Sequence, residues 1–203
     1  ETELLRIHRE FDTTFVYVTH DQTQAMRLAD QIVVMNDGKV EQSASVNEVY
    51  NHPATAFVAT FVGDSNIFRG TVERISDDGT VAHIETDLGQ FAASTENLDS
   101  SPADVVDTDI SFSVRPQHLS LDENGDNSLD CYVEDVIGHA SKGKQVILSP
   151  VADESREIQL RSRDLVSDLG GETKINWRSA DTTILERNSV VGDIDLEKEI
   201  LGE

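Results

Sequence analysis

The sequence predicts two architectures in series: an α/β remnant over residues 1–62, then an all-β domain of small-barrel or sandwich type over residues 63–203. Three observations carry this. The β-branched and aromatic run from Thr13 to Thr19 breaks abruptly into a helix-start pattern, as strands buried on both faces of a parallel sheet do. A tight Asn36-Asp37-Gly38 turn and two short helical stretches fill the space before Gly63. From Asn66 onward short strands alternate with acidic, glycine-containing turns, the texture of a small β domain.

Taken in order, Leu4, Leu5 and Ile7, interspersed with Arg6, Arg9 and Glu10, read as the last turns of an amphipathic helix, so the sequence is expected to start inside an element. The apolar strand at 13–19 follows and ends at His20, where a strand gives way to a helix. In open α/β sheets that carboxyl edge is where ligands bind. Asp21 followed by Gln24 matches a capping pattern, and Ala25, Met26, Leu28 and Ala29 supply a buried helix face. Strands at 32–35 and 39–42 are joined by the Asn36-Asp37-Gly38 turn, with Gly38 free to take positive φ. A helix near 46–50 stops before Pro53. A second, 54–62, carries Phe57, Val58, Phe61 and Val62 as a one-sided stripe that Gly63 closes. Further strands are expected at 67–75, 81–86, 89–93, 110–115, 129–137, 145–148, 157–160 and 182–186, while 162–181, with the single Trp177, has no clear pattern.

Composition removes whole classes of function. The net charge is −23, with 39 acidic against 16 basic side chains, which disfavours binding to phosphate backbones, so no nucleic-acid partner is expected. No run reaches the roughly 18 apolar residues of a membrane-spanning helix. A single cysteine, Cys131, makes neither an internal disulfide nor a cysteine-based zinc site. Aspartate exceeds glutamate and arginine exceeds lysine, a balance that resembles the cytosolic proteins of salt-accumulating halophiles, haloarchaea among them. Because such a surface repels itself and molar salt shortens the Debye length to about 3 Å, the fold is expected to loosen at low ionic strength. A melting temperature indifferent to molar salt would refute this.

The segments Phe15-Val16-Tyr17-Val18-Thr19-His20-Asp21-Gln22-Thr23-Gln24-Ala25-Met26 and Leu28-Ala29-Asp30-Gln31-Ile32-Val33-Val34-Met35-Asn36-Asp37-Gly38 together resemble the H-loop region of ABC-transporter ATPases, most closely the sugar-importer branch of maltose and glycerol-phosphate type. Val49 to Pro53 and Ala56 to Gly63 are similar to that branch's exit into its regulatory domain, and Val114-Arg115-Pro116-Gln117-His118-Leu119 is similar to an element of its OB-like (TOBE-type) regulatory domain. The likeness is close over about the first 65 residues and weaker beyond.

The resemblance implies a role for His20: the H-loop histidine contacts the γ-phosphate of ATP and helps hold the attacking water and a neighbouring glutamate. An imidazole suits this, because it donates to a phosphoryl oxygen while bonding a second partner. On position alone, His20 reads equally as a polar strand-end residue, and Asp21 reads as an N-cap rather than a catalytic group. The family's phosphate-binding loop, glutamine loop, signature motif and Walker B pair are not among these 203 residues. The chain therefore resembles the C-terminal portion of such a subunit and is not expected to hydrolyse ATP by itself. ATP and Mg²⁺ are the cofactors of the intact family protein, and none is expected for this chain alone. The resemblance also implies a second ATPase subunit, met through the regulatory domains, membrane permease subunits, a cytoplasmic position on the inner membrane face, and a carbohydrate as solute. The alternative is a free-standing OB-type regulatory or oxyanion-binding module, against which the few basic residues count.

Other signals read as structural. Asp122 to Asn127 lacks the glycine at the sixth position and the acidic twelfth residue of a calcium loop, Val133 standing there. His83, His118 and His139 show no ligand spacing. Gly138 to Lys144 reads as a hairpin connection, and 192–203 as a fraying acidic tail.

Overall fold

The computed structural model describes residues 10, 14–98, 100–122, 124–139, 143–163, 169–185 and 187. The expected helix near residues 4–8, the loop at 140–142 and the tail at 192–203 lie outside them.

Residues 14–19 form no strand, and Phe15, Val16, Tyr17 and Val18 are exposed. This corrects the expected buried parallel strand. A strand apolar on both faces needs a neighbour at each edge and a layer on each side, and no described strand pairs with this run. Helix α1 (Gln22–Leu28) starts at Asp21, whose Oδ1 accepts from Gln24 N at 2.9 Å. Its apolar positions point one way, but none is buried.

Strands β1 (Gln31–Asn36) and β2 (Lys39–Ser45) form an antiparallel hairpin. Asp37 and Gly38 take φ of +45° and +74°, the double positive φ that a two-residue hairpin loop demands. Helix α2 (Val46–Asn51) is capped by Ser45, and α3 (Ala56–Gly63) by Thr55. Thr55 Oγ1 accepts from Val58 N and donates to the buried Glu41 Oε2 at 3.1 Å, so one hydroxyl both caps α3 and ties it to the hairpin. The expected stripe on α3 is rearranged: Val58 packs with Val34 and Val49, Ala56 and Ala59 face Leu185 and Ile67, and Phe61 turns outward. Two small side chains let the helix sit close to a second layer. Gly63 is the last helical residue, and Asp64 (φ +51°) is the left-handed cap, the position that usually takes glycine.

The rest is antiparallel β: β3 (Asn66–Ile75), β4 (Val81–Thr86), β5 (Gly89–Ser94), β6 (Asp109–Val114), β7 (Asn127–His139), β8 (Gly143–Pro150), β9 (Ile158–Ser162), β10 (Gly171–Trp177) and β11 (Thr182–Leu185). One sheet runs β11-β6-β3-β4-β5 and the other β10-β7-β8-β9. The edges of the larger sheet approach each other where Ser94 N donates to Thr182 Oγ1 at 2.9 Å. Between the sheets, Trp177 stacks on Phe68, which stacks on Phe112, with Phe91 tilted against Phe68 and Trp177 and edge-on to Phe112. The two sheets share one core, including Ile84, Leu148, Leu160 and Ile175.

These two sheets are copies of one motif. In each, the fourth strand pairs with the first, the first with the second, and the second with the third. The ladder slips at the same step, between Val72 and Arg74 in one and between Val133 and Asp135 in the other. Asn66 faces Val114 as Asn127 faces Trp177. Each fourth strand is followed by an arginine, Arg115 or Arg178, that leads into a 3₁₀ turn, Pro116–His118 or Ser179–Asp181. The segment after each turn then crosses to the other copy, so Ser120 bridges Asn176 and Thr183 pairs with Ser113.

The copies are also clamped reciprocally. Asn66 Oδ1 accepts from Gln159 N (2.8 Å) and its Nδ2 donates to Gln159 O (2.9 Å). Asn127 Oδ1 accepts from Ala92 N (2.6 Å) and its Nδ2 donates to Ala92 O (2.9 Å). Each carboxamide acts as a one-residue strand on the open edge of the other copy's third strand. That satisfies backbone groups an edge leaves unpaired.

Candidate functional site

His20 sits on a bend between the extended run and α1, and it is exposed. Its neighbours are ordered by local bonds. Asp21 N donates to Thr19 Oγ1 at 2.9 Å, Asp21 Oδ1 caps Gln24, and Tyr17 O–H donates to Gln24 Oε1 at 2.5 Å. Both Asp21 and Gln24 are thus occupied in shaping the turn, which leaves the imidazole as the outward polar group. No hydrogen bond among the described residues engages it. Among the described residues no group of three or more His, Cys, Asp or Glu is placed to hold a metal ion.

A second polar site lies where α2 meets the β domain. A cleft of about 200 Å³ is bounded by Tyr50, His52, Asn97, Arg115, His118 and Asp181, among others. Arg115, 8% exposed, lies with its Cζ 4.0 Å from the Tyr50 ring centroid and donates from Nη2 to the Tyr50 carbonyl. Gln117 Nε2 donates to Tyr50 O–H at 3.0 Å, and the His52 ring meets Asn97 Oδ1. Desolvation draws the Arg115 pKa below its ordinary value, opposed by Tyr50 and Asp64. In the sequence Arg115 marks the end of the strand expected at 110–115 and belongs to a resembling motif. Its contacts reach 65 residues back along the chain, a separation no local pattern reveals.

The remaining candidates stay apart. His83 lies on β4 and His118 on the 3₁₀ turn after β6. Asp126, in the segment considered as a calcium loop, accepts from Ser179 N and Oγ at 2.9 and 2.5 Å and so caps the second 3₁₀ turn.

No family model matches the chain. Among curated proteins it is 34% identical over 164 residues to the spermidine/putrescine import ATP-binding protein PotA of Rubrobacter xylanophilus, covering 81% of this chain and 42% of that one. It is 37% identical over 142 residues to the Fe(3+) ions import ATP-binding protein FbpC 2 of Rhizobium meliloti (66% and 34%). With the sulfate/thiosulfate import ATP-binding protein CysA of Mannheimia succiniciproducens the figure is 34% over 123 residues (61% and 32%). The chain is similar to import ATP-binding subunits. It spans less than half the length of these relatives. Among the described residues no helix is long and apolar enough to cross a membrane.

Proposed function

We propose that this chain is the C-terminal part of the ATP-binding, energy-coupling subunit of an ABC-type importer, with residues 1–62 ending the nucleotide-binding domain and 63–203 forming an OB-like regulatory domain. The observation that carries it is the shared sequence with several import ATP-binding proteins of different solutes. His20 is the γ-phosphate sensor in this reading: an exposed imidazole on a bend fixed by the Asp21 cap is free to donate to a phosphoryl oxygen. The ATP and Mg²⁺ that supply the driving reaction are held by motifs outside these 203 residues, so the chain alone does not turn over ATP. A second ATPase subunit and membrane permease subunits are its partners, which places it on the cytoplasmic face of the membrane. Carbohydrate is the solute class implied by the sugar-importer resemblance. The relatives' names carry polyamines, sulfate or thiosulfate and Fe(3+) instead, so transport assays must include all four classes.

The test fuses the nucleotide-binding portion of the Rubrobacter xylanophilus relative ahead of Glu1 and measures Mg²⁺-dependent ATP turnover. The fusion should hydrolyse ATP, and His20→Ala should lower turnover by at least about 100-fold, the usual scale for losing a positioned proton-handling group. A folded fusion that is inactive, or whose turnover ignores His20→Ala, refutes the reading.

A further inference from the structure

The two copies of the β motif end on equivalent arginines with opposite fates. Arg178 keeps its guanidinium at home: its Nε and Nη2 donate to Asp181, three residues on, at 2.7 and 3.0 Å. In the first copy the position equivalent to Asp181 is His118, and Arg115 has no carboxylate there. Arg115 instead turns away from its own 3₁₀ turn and buries itself against the preceding segment. It is stacked on the Tyr50 ring and bonded to the Tyr50 carbonyl near the C-terminal end of α2. Its Nη1 packs so closely on the end of α3 that a Cβ added to Gly63 would overlap it. One side chain thereby touches both helices that carry the β1–β2 hairpin.

We propose that Arg115 is the positioning residue that seats the hairpin–α2–α3 unit on the duplicated β domain, that His118 is the departure from the repeat that releases it, and that Gly63 leaves the room it enters. The other direct ties across this junction include the His52–Asn97 contact, the Gln117–Tyr50 bond and Ala56 N to Arg187 O at 3.1 Å. Of these groups only Arg115 holds both helices at once. Resting on the function proposed above, this makes Arg115 the route by which the β domain's position reaches the hairpin and helices that lie beyond α1 on the His20 side of the chain. The structural part of the inference stands without that reading.

The experiment uses the 203-residue chain with spin labels on Ser43→Cys in β2 and Asp77→Cys in the β3–β4 turn, both exposed in the parent. Cys131 is buried and does not compete for label. The parent should give one narrow distance distribution. Arg115→Lys keeps the charge but loses the fork, and should broaden the distribution, as should Gly63→Ala, which displaces the guanidinium. His118→Asp recreates the partner found in the second copy, and should broaden it by drawing Arg115 home. Trp177 emission, which reports the β core, should stay unchanged in all three. A distribution as narrow as the parent's in both Arg115→Lys and His118→Asp overturns the proposal, and so does loss of the Trp177 signal together with the distance, which would make Arg115 a general stability residue. ATP turnover of the fusion is read separately: broadened distances with unaltered turnover keep the positioning role and refute only its link to His20.

Discussion

The reciprocal asparagine clamps make a quantitative prediction. Asn127 is 3% exposed and Asn66 is 6% exposed, and each closes a two-bond ring with the backbone of the opposite sheet. Truncating Asn127 to Ala removes two hydrogen bonds worth about 1 kcal/mol each and leaves the Ala92 N–H and C=O without those partners. Ala92 is half-buried, so water recovers part of that deficit, and the expected loss is about 2–4 kcal/mol. In a chain of this size 1 kcal/mol moves Tm by about 2–4 °C, so Asn127→Ala should melt roughly 4–16 °C below the parent. Asn66→Ala should fall in the same range or below it, because Asn66 Nδ2 also reaches Val114 O at 3.3 Å. Asn127→Asp should be worse than Asn127→Ala, since a carboxylate oxygen then faces the Ala92 carbonyl where the parent has a donor. Urea unfolding followed by Trp177 fluorescence measures all three, the indole being 1% exposed and stacked in the shared core. A cost below about 0.5 kcal/mol for either Asn→Ala variant refutes the clamp argument.

Two further outcomes follow from charge and burial. Burial pushes the Cys131 thiol up to about 12, so at pH 8 it should resist alkylation by iodoacetamide by at least about 100-fold relative to the urea-unfolded chain; equal rates would contradict the structure. Asp78 accepts from Ser76 Oγ, Thr80 N and Thr80 Oγ1, which hold its pKa down at about 2 against an ordinary 3.8. Asp126 is lowered by Ser179 in the same way. With folded values below unfolded ones, both carboxylates favour the native state in full above about pH 4. That contribution is lost as pH falls toward the folded value. Carboxyl NMR titration should give Asp78 near 2 in the parent and a higher value in Ser76→Ala.

Legibility in the sequence tracked how local each determinant was. The Asp37-Gly38 hairpin, the Asp21 cap and most β strands were readable, because turn chemistry and alternation act over a few residues. Strand β10 was not: Gly171–Trp177 carries Glu172, Thr173, Lys174 and Asn176 among its apolar residues. Its order comes from pairing with β7 and from Trp177 entering a core made by the other copy. The duplication was invisible for the same reason. Asn66 and Asn127, and Arg115 and Arg178, do repeat, but they stand among equivalent positions that hold unlike residues, such as Val114 against Trp177 and Ala92 against Gln159. His20 is singled out by its flanking motif. Arg115 needed the fold, since its partners Tyr50 and Gly63 are distant in sequence.

The chain divides sharply in how well it covers its own apolar surface, and this allows a last test. Val16 and Val18 are 89% and 90% exposed, and Val33, Met35, Val40 and Phe61 are about half exposed, all before residue 63. Beyond it, the exposed large hydrophobics among the described residues are Ile137 and Val151. The β domain thus closes its own core, while the described residues before 63 bury a small cluster around Val34, Val49 and Val58 and leave the apolar run at 15–18 uncovered. Such surface contributes nothing to the stability of this chain but promotes association through unpaired extended backbone. Val16→Ser with Val18→Ser should therefore leave unfolding within about 0.5 kcal/mol of the parent, as expected at exposed sites, while reducing light scattering on heating. Val58→Ala, at a fully buried position packed on Val34 and Val49, should instead cost about 1–3 kcal/mol. If the paired serines destabilise as much as Val58→Ala, residues 14–19 are packed in solution and their exposed conformation is wrong.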